Sequence, residues 1–215
     1  MAEINANPSS SSEVQSFINV EFRTHFTVVK LDSGADDPTN QLSQTRILEL
    51  TAVFEDISSR LPLCPLILTG NQQFFSAGAD LNEIAAFIGP EAYEFAAMGQ
   101  RLMNLIDHHS APVIAAIRGY CMGGGLDIAL ACDYRIATPA TTFGHRGAAL
   151  GIITGWGGTQ RLPRLIGKAH ALQMFLAAEK LNANDALRIG LIDGIEEDPL
   201  RAASSVAESC TAPVS

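Results

Sequence analysis

The stretch 111-APVIAAIRGYCMGGGLDIALACDY-134 decides how the rest of the chain is read. It opens with an apolar run, Pro112 to Ile117, short and flanked by a proline and a glycine, which predicts a buried strand. Three glycines follow, Gly123 to Gly125, and then Leu126 to Cys132, which suits the opening of a buried helix. A helix start has backbone N–H groups without intrahelical acceptors, and its dipole favours negative charge there. Glycine lets a ligand approach that backbone. One carboxylate, Asp127, sits immediately downstream. The stretch reads as half of a site that stabilises an oxyanion, with the N–H of Gly124 as donor. The competing reading is a glycine turn needed only for close packing.

A second segment, Phe74-Phe75-Ser76-Ala77-Gly78-Ala79-Asp80, repeats the pattern. It leaves a short strand, Leu66 to Gly70, and enters a helix starting around Asp80 and Leu81. Small residues around Gly78 again open the backbone, and the N–H of Ala79 is the second expected donor. Two such donors near one oxygen would hold a carbonyl that gains negative charge as it reacts. Losing one side-chain donor of this kind costs about 3 kcal/mol in known cases.

The totals set limits. With 215 residues the chain can bury one sizeable core. A net charge of −9 argues against a nucleic-acid binder, which needs a basic face. An anionic ligand would need local cations or amides to hold it against that field. Cys64, Cys121, Cys132 and Cys210 lie far apart, without zinc-like spacing, so reduced thiols, no metal and a cytoplasmic location are expected. No apolar run approaches membrane-spanning length. Residues 1–14 are expected to be a disordered leader, 15–195 the core, and 196–215 a short tail or partial helix.

Between these landmarks strands and helices alternate, which predicts an α/β fold. Glu21 to Leu31 predicts one or two edge strands, and Leu50, Val53, Phe54, Ile57 and Leu61 predict a helix from about Ser43 to Arg60. Pro90 begins a longer helix with Phe95, Met98, Leu102 and Ile106 on one face. Tyr134–Ala137 and Thr141–Gly144 read as further strands. Gly157-Gly158-Thr159 reads as the start of a helix that Pro163 begins or interrupts. Ala169 to Glu179 reads as an amphipathic helix, and Asn182 with Asp185 as a capping box. His108-His109 reads as a solvated helix end.

Four segments, FFSAGADLNEI, IAAIRGYCMGGGLDIALACDYRIAT, TGWGGTQRLPRLIG and LNANDALRIGLID, fall in order between Phe26 and Asp193. Together they resemble the crotonase (enoyl-CoA hydratase/isomerase) superfamily. The resemblance implies a spiral of ββα units and an acyl-CoA thioester as ligand. It implies no cofactor beyond the coenzyme A of the substrate, and a homotrimer or hexamer. By position it puts the oxyanion hole at the N–H groups of Ala79 and Gly124. The substrate-facing positions become Ala77, Gly78, Asp80, Leu81, Gly123 and Gly147. Trp156, between Gly155 and Gly157, reads as a wall of the acyl pocket or as a packing residue.

The chain departs from the family in three places. Hydratases of the family use two glutamates; the first falls at Asp127, one methylene shorter, and the second at Gly147, which carries no acid. His145 lies two residues earlier and in extended chain would point to the same side, so it is the candidate replacement acid or base. Arg146 could instead bind an acidic substrate group. Few residues follow the GLID segment, so a shortened C-terminal helical region is expected. Lys30, Arg23 and Arg118 are the candidate phosphate contacts. No G-x-G-x-x-G, G-K-[ST] or G-x-S-x-G pattern is present, which weakens nucleotide and serine-hydrolase readings. Hydration or double-bond isomerisation through Asp127 is expected. Decarboxylation, hydrolysis or a non-catalytic acyl-CoA binder are the alternatives.

Overall fold

A computed structural model describes residues 16–34, 37–60 and 63–211. The expected leader, 1–14, lies outside the described residues, as do parts of the Asp32–Asp37 loop and the last four positions.

In chain order the elements are β1 (Ile18–Phe22), β2 (Thr27–Leu31), β3 (Gln41–Leu42), α1 (Gln44–Ser59), β4 (Leu66–Thr69), β5 (Phe74–Ser76), β6 (Gly78–Ala79), α2 (Leu81–Ala86) and α3 (Pro90–Asp107). Then follow β7 (Val113–Ile117), β8 (Tyr120–Met122), α4 (Gly124–Ala131), β9 (Tyr134–Ala137), β10 (Thr142–Gly144), α5 (Gly158–Ile166), α6 (Lys168–Ala177), β11 (Leu181–Asn182), α7 (Ala183–Arg188), β12 (Gly194–Ile195) and α8 (Pro199–Thr211). A 3-10 turn, Gly147–Leu150, follows β10.

The strands form a six-stranded sheet in the order β1-β2-β4-β7-β9-β12, a four-stranded sheet β11-β10-β8-β5, and the pair β3-β6. β4, β7 and β9 each lie in the large sheet, and each is followed by a strand of the second sheet, β5, β8 and β10 respectively. Helical chain follows each time, after the two-residue β6 in the first unit and beginning as the 3-10 turn in the third, so the ββα unit repeats and the chain winds as a spiral. Between these units the large-sheet pairings are parallel, as such crossovers require.

The pleat explains the two cores. Leu66, Leu68, Val113, Ala115 and Ile117 face the main core with α1, α3 and α4. Their neighbours Ile67, Ile114 and Ala116 point the other way, onto Ala203 and Ala207 of α8. The segment after Ile195 carries few large apolar residues, and for that reason its sequence supports a tail or partial helix and no more, where the structure has the helix α8. Its small residues are what let α8 lie close on the sheet, where Ala203 and Ala207 are fully buried.

Three local expectations are corrected. Of the two strands expected at an edge, β1 lies there and β2 does not: β2 pairs with β1 on one side and β4 on the other, and Val28, Val29 and Leu31 are buried. The central stretch does not pass straight from strand to glycine turn to helix. It turns at Gly119, whose φ of +62° suits glycine, and inserts β8, whose Tyr120 N–H donates to Gln73 O at 2.9 Å. Pro163 neither begins nor breaks α5, which starts at Gly158 and runs through it. The cost is one missing N–H opposite the Thr159 carbonyl.

Capping follows the sequence more closely. Ser43 Oγ accepts from Arg46 N, Asp80 from Asn82 N, and the Asn182 side chain from Asp185 N. Each fills one of the donors left open by a helix start.

Candidate active site

The two segments singled out by their small residues meet across one cleft of about 620 Å³, lined by Ala77, Ala79, Gly123, Gly124, Asp127 and Trp156 among others. β6 brings Ala79 there. Asp80 N–H donates to Leu42 O at 3.2 Å and Ala77 N–H to Thr39 O at 2.9 Å, both toward the β3 side. Gly78 N–H is taken by Ser76 Oγ at 3.0 Å. Ala79 itself lines the cleft between these engaged neighbours. Gly124 is the first residue of α4, so its N–H belongs to the turn without intrahelical acceptors. Gly123 precedes it with φ +50°, a conformation that favours glycine.

Gly124 is glycine for a reason that the sequence concealed. A Cβ on it would run into the Trp156 indole, with Cε3 at 2.6 Å and Cη2 at 3.2 Å. Trp156 is 4% exposed, its Nε1–H donates to Phe95 O at 3.3 Å, and its ring packs on Phe95 at 5.2 Å between centroids. It both packs and walls the cleft. Gly78 is buried behind the cleft rather than lining it, because a Cβ there would meet Met122 O at 2.7 Å and Gly124 N at 2.8 Å. Asp80 turns its carboxylate onto α2 as a cap, while Leu81 lines the cleft.

Asp127, on the first turn of α4, is 1% exposed. Its Oδ2 accepts a hydrogen bond from Thr154 Oγ1. Its Oδ1 lies 3.2 Å from Nε2 of His145, itself 4% exposed at the end of β10. The approach is close, yet it falls short of hydrogen-bond geometry, and neither Oδ1 nor Nε2 has a partner among the described residues. Buried polar atoms left this way are unusual and mark places where a ligand or proton is expected. Gly158 sits against the pair: a Cβ on it would overlap Asp127 Oδ1 and lie 3.1 Å from His145 Nε2.

Position 147 differs from the extended-chain expectation. The backbone leaves β10 and enters the 3-10 turn at Gly147, so 145 and 147 do not share a strand face. Gly147 lines the cleft, but a Cβ on it would meet Ile152 O at 2.5 Å, and Gly147 O accepts from Ile152 N at 3.0 Å. This loop has no place for a glutamate. His145 nevertheless reaches Asp127, for a reason that lies in β10 rather than in parity with position 147.

The cations considered as phosphate contacts are engaged elsewhere: Arg23 with Glu21, Lys30 with Asp32, and Arg118 with Asp198. His108 is exposed at the end of α3. His109 is less solvated than its sequence suggests; it sits edge-on to Phe54 at 6.3 Å, and burial pushes its pKa down. Cys121 and Cys132 are buried, and desolvation pushes both thiols up, Cys132 to about 12. Among the described residues, no group of three or more His, Cys, Asp or Glu is placed to hold a metal ion, and no helix is long and apolar enough to cross a membrane.

Comparison with known proteins follows this geometry. The family model described as enoyl-CoA hydratase/isomerase matches residues 23–209. A crotonyl-CoA hydratase of Syntrophomonas wolfei is 42% identical over 161 residues, 73% of this chain and 60% of that protein. A short-chain-enoyl-CoA hydratase of Clostridium acetobutylicum is 38% identical over 159 residues, 74% of this chain and 61% of that one. The chain thus spans about three-fifths of the length of these curated relatives. Among solved structures, Pseudomonas aeruginosa DspI superposes with a TM-score of 0.88 at 33% identity, covering 96% of this chain and 84% of that one. An enoyl-CoA hydratase from Bacillus anthracis gives 0.84 at 33% identity, covering 90% and 76%. The chain belongs to the enoyl-CoA hydratase/isomerase family of the crotonase superfamily.

Proposed function

We propose that the chain transforms an acyl-CoA thioester by way of its enolate, with hydration or double-bond isomerisation as the reaction. The N–H groups of Ala79 and Gly124 hold the thioester oxygen as it gains charge, and Asp127 moves the proton at the α carbon. Donors fixed in advance where charge develops lower the barrier because they need not reorganise during reaction. The observation that carries this reading is the Asp127–His145 approach of 3.2 Å, in the cleft that Ala79 and Gly124 also line. A carboxylate with an imidazole beside it offers two proton-carrying groups where the family pattern has two carboxylates.

Isomerisation fits best, since one group can take a proton from the α carbon and return it at the γ carbon. Hydration needs a second group to activate water, and His145 is the group within reach. Decarboxylation is favoured by one separate observation: the loop at Gly147 excludes a second carboxylate, and loss of CO₂ from a malonyl-type thioester needs the enolate-stabilising amides and little else. Assembly into a trimer or hexamer belongs to the same proposal. The apolar side chains of Leu172 and Leu176, exposed on α6, support it.

The test is a turnover panel of 2-enoyl-, 3-enoyl- and malonyl-type CoA thioesters, following absorbance of the conjugated thioester and CO₂. Turnover of the enoyl substrates that falls in Asp127→Asn supports the main reading. CO₂ release alone supports the second. Binding without turnover of any member leaves a non-catalytic acyl-CoA binder.

A further inference from the structure

Arg146 is the one lysine or arginine lining the cleft among the described residues. Its backbone caps the 3-10 turn, and it sits between His145, which faces Asp127, and Gly147, which lines the wall. The other polar side chains there are Gln41, Asp127, His145 and Thr154; the remainder of the lining is apolar or glycine. In this acidic chain other arginines are held by carboxylates: Arg46 by Asp37, Arg135 by Asp193, Arg161 by Asp107. The Arg146 guanidinium is exposed and has no hydrogen-bond or ion-pair partner among the described residues.

We propose that Arg146 recognises a carboxylate on the acyl chain, so that the preferred substrates are thioesters of dicarboxylic acids. The inference rests on the acyl-thioester reading above. A guanidinium presents a planar fork of donors matched to a carboxylate, and it stays charged throughout the working pH range. Against a net charge of −9, an anionic group needs such a local cation to be held. Coenzyme A offers a competing anion in its phosphates. They lie at the far end of the pantetheine arm from the thioester, whereas Arg146 follows His145 in the chain and lines the same cleft as the proposed acid/base pair. The acyl carboxylate is therefore its partner.

The experiment compares two trans-2-enoyl chains of equal length, one ending in methyl and one in carboxylate. Each is offered as the CoA thioester and as the N-acetylcysteamine thioester, which carries no phosphate. For Arg146→Ala, the ratio of kcat/KM for the carboxylated chain to that for the methyl-ended chain falls about tenfold with both carriers, mainly through KM. Arg146→Lys recovers part of it. An equal loss on both chains, seen with coenzyme A and absent with cysteamine, assigns Arg146 to a phosphate and overturns the proposal. No change in the ratio makes it a solvated surface cation and overturns it as well. If the wild type turns over no thioester, the functional reading fails separately. Calorimetry with unreactive CoA thioethers of the same two chains then decides: a carboxylate preference lost in Arg146→Ala supports the proposal, and no preference ends it.

Discussion

Gly158 lies so close to Asp127 that no side chain fits between them: a Cβ on it would overlap Oδ1 and come within 2.8 Å of Thr154 Cγ2. The glycine opens α5 and closes the space beneath the Asp127–His145 pair. Gly158→Ala is therefore expected to displace the carboxylate and reduce kcat/KM at least about tenfold, with overpacking costing about 1–3 kcal/mol of stability. Thermal unfolding beside steady-state kinetics checks this. A folded variant with wild-type turnover would show that the packing has no bearing on the chemistry.

Removing the proton carriers should separate their roles. Asp127→Asn keeps shape and hydrogen bonding but not basicity, and is expected to lower turnover by about 10²–10⁴-fold. His145→Gln is expected to cost less in isomerisation than in hydration, because hydration calls on a second group. Equal losses in both reactions would assign His145 to positioning Asp127.

Gly147→Glu tests whether the missing acid can be written back. The Ile152 carbonyl oxygen lies 2.5 Å from where the Cβ would sit, so the variant is expected to lose about 1–3 kcal/mol of stability and to gain no hydratase activity. A rise in hydration rate would mean that the 147–152 loop rearranges readily.

The buried thiols give a prediction independent of activity. Desolvation holds Cys121 and Cys132 in the unreactive thiol form, while Cys210 is exposed. At pH 8 a thiol reagent is expected to label Cys210 in the native protein, and Cys121 and Cys132 only after denaturant is added. Peptide mapping by mass spectrometry reads the result.

Asp37 ties stability to pH. Burial pushes its carboxyl up, but hydrogen bonds from Thr39, Arg46 and Gln41 outweigh that and hold it below its ordinary value. A carboxyl depressed in the folded state stabilises it above the unfolded pKa and ceases to as pH falls through the folded one. Asp37→Asn should lower Tm at pH 7, with the difference from wild type shrinking below about pH 4. A constant difference across that range would rule out the ionised carboxylate as its source.

Much of the site could be read from the chain because its devices are local. A glycine with positive φ at Gly123 and an Asp at a helix start at Asp80 leave signatures within a few residues. What escaped depends on distant partners. Gly124 answers to Trp156, Gly158 to Asp127 and Gly147 to Ile152, and no short-range pattern carries those contacts. β8 has no signature because three residues are too few for a period, and α8 reads only as a tail or partial helix because small residues pack closely without an apolar stripe.

The account turns on an enolate held by the Ala79 and Gly124 amides with Asp127 as its base. Proton NMR of a saturated acyl-CoA in D₂O tests this most directly, since it reads loss of the α proton whatever the later steps. The wild type is expected to wash deuterium into the α position, and Asp127→Asn to stop it. No exchange by the wild type, or undiminished exchange in Asp127→Asn, would contradict the account.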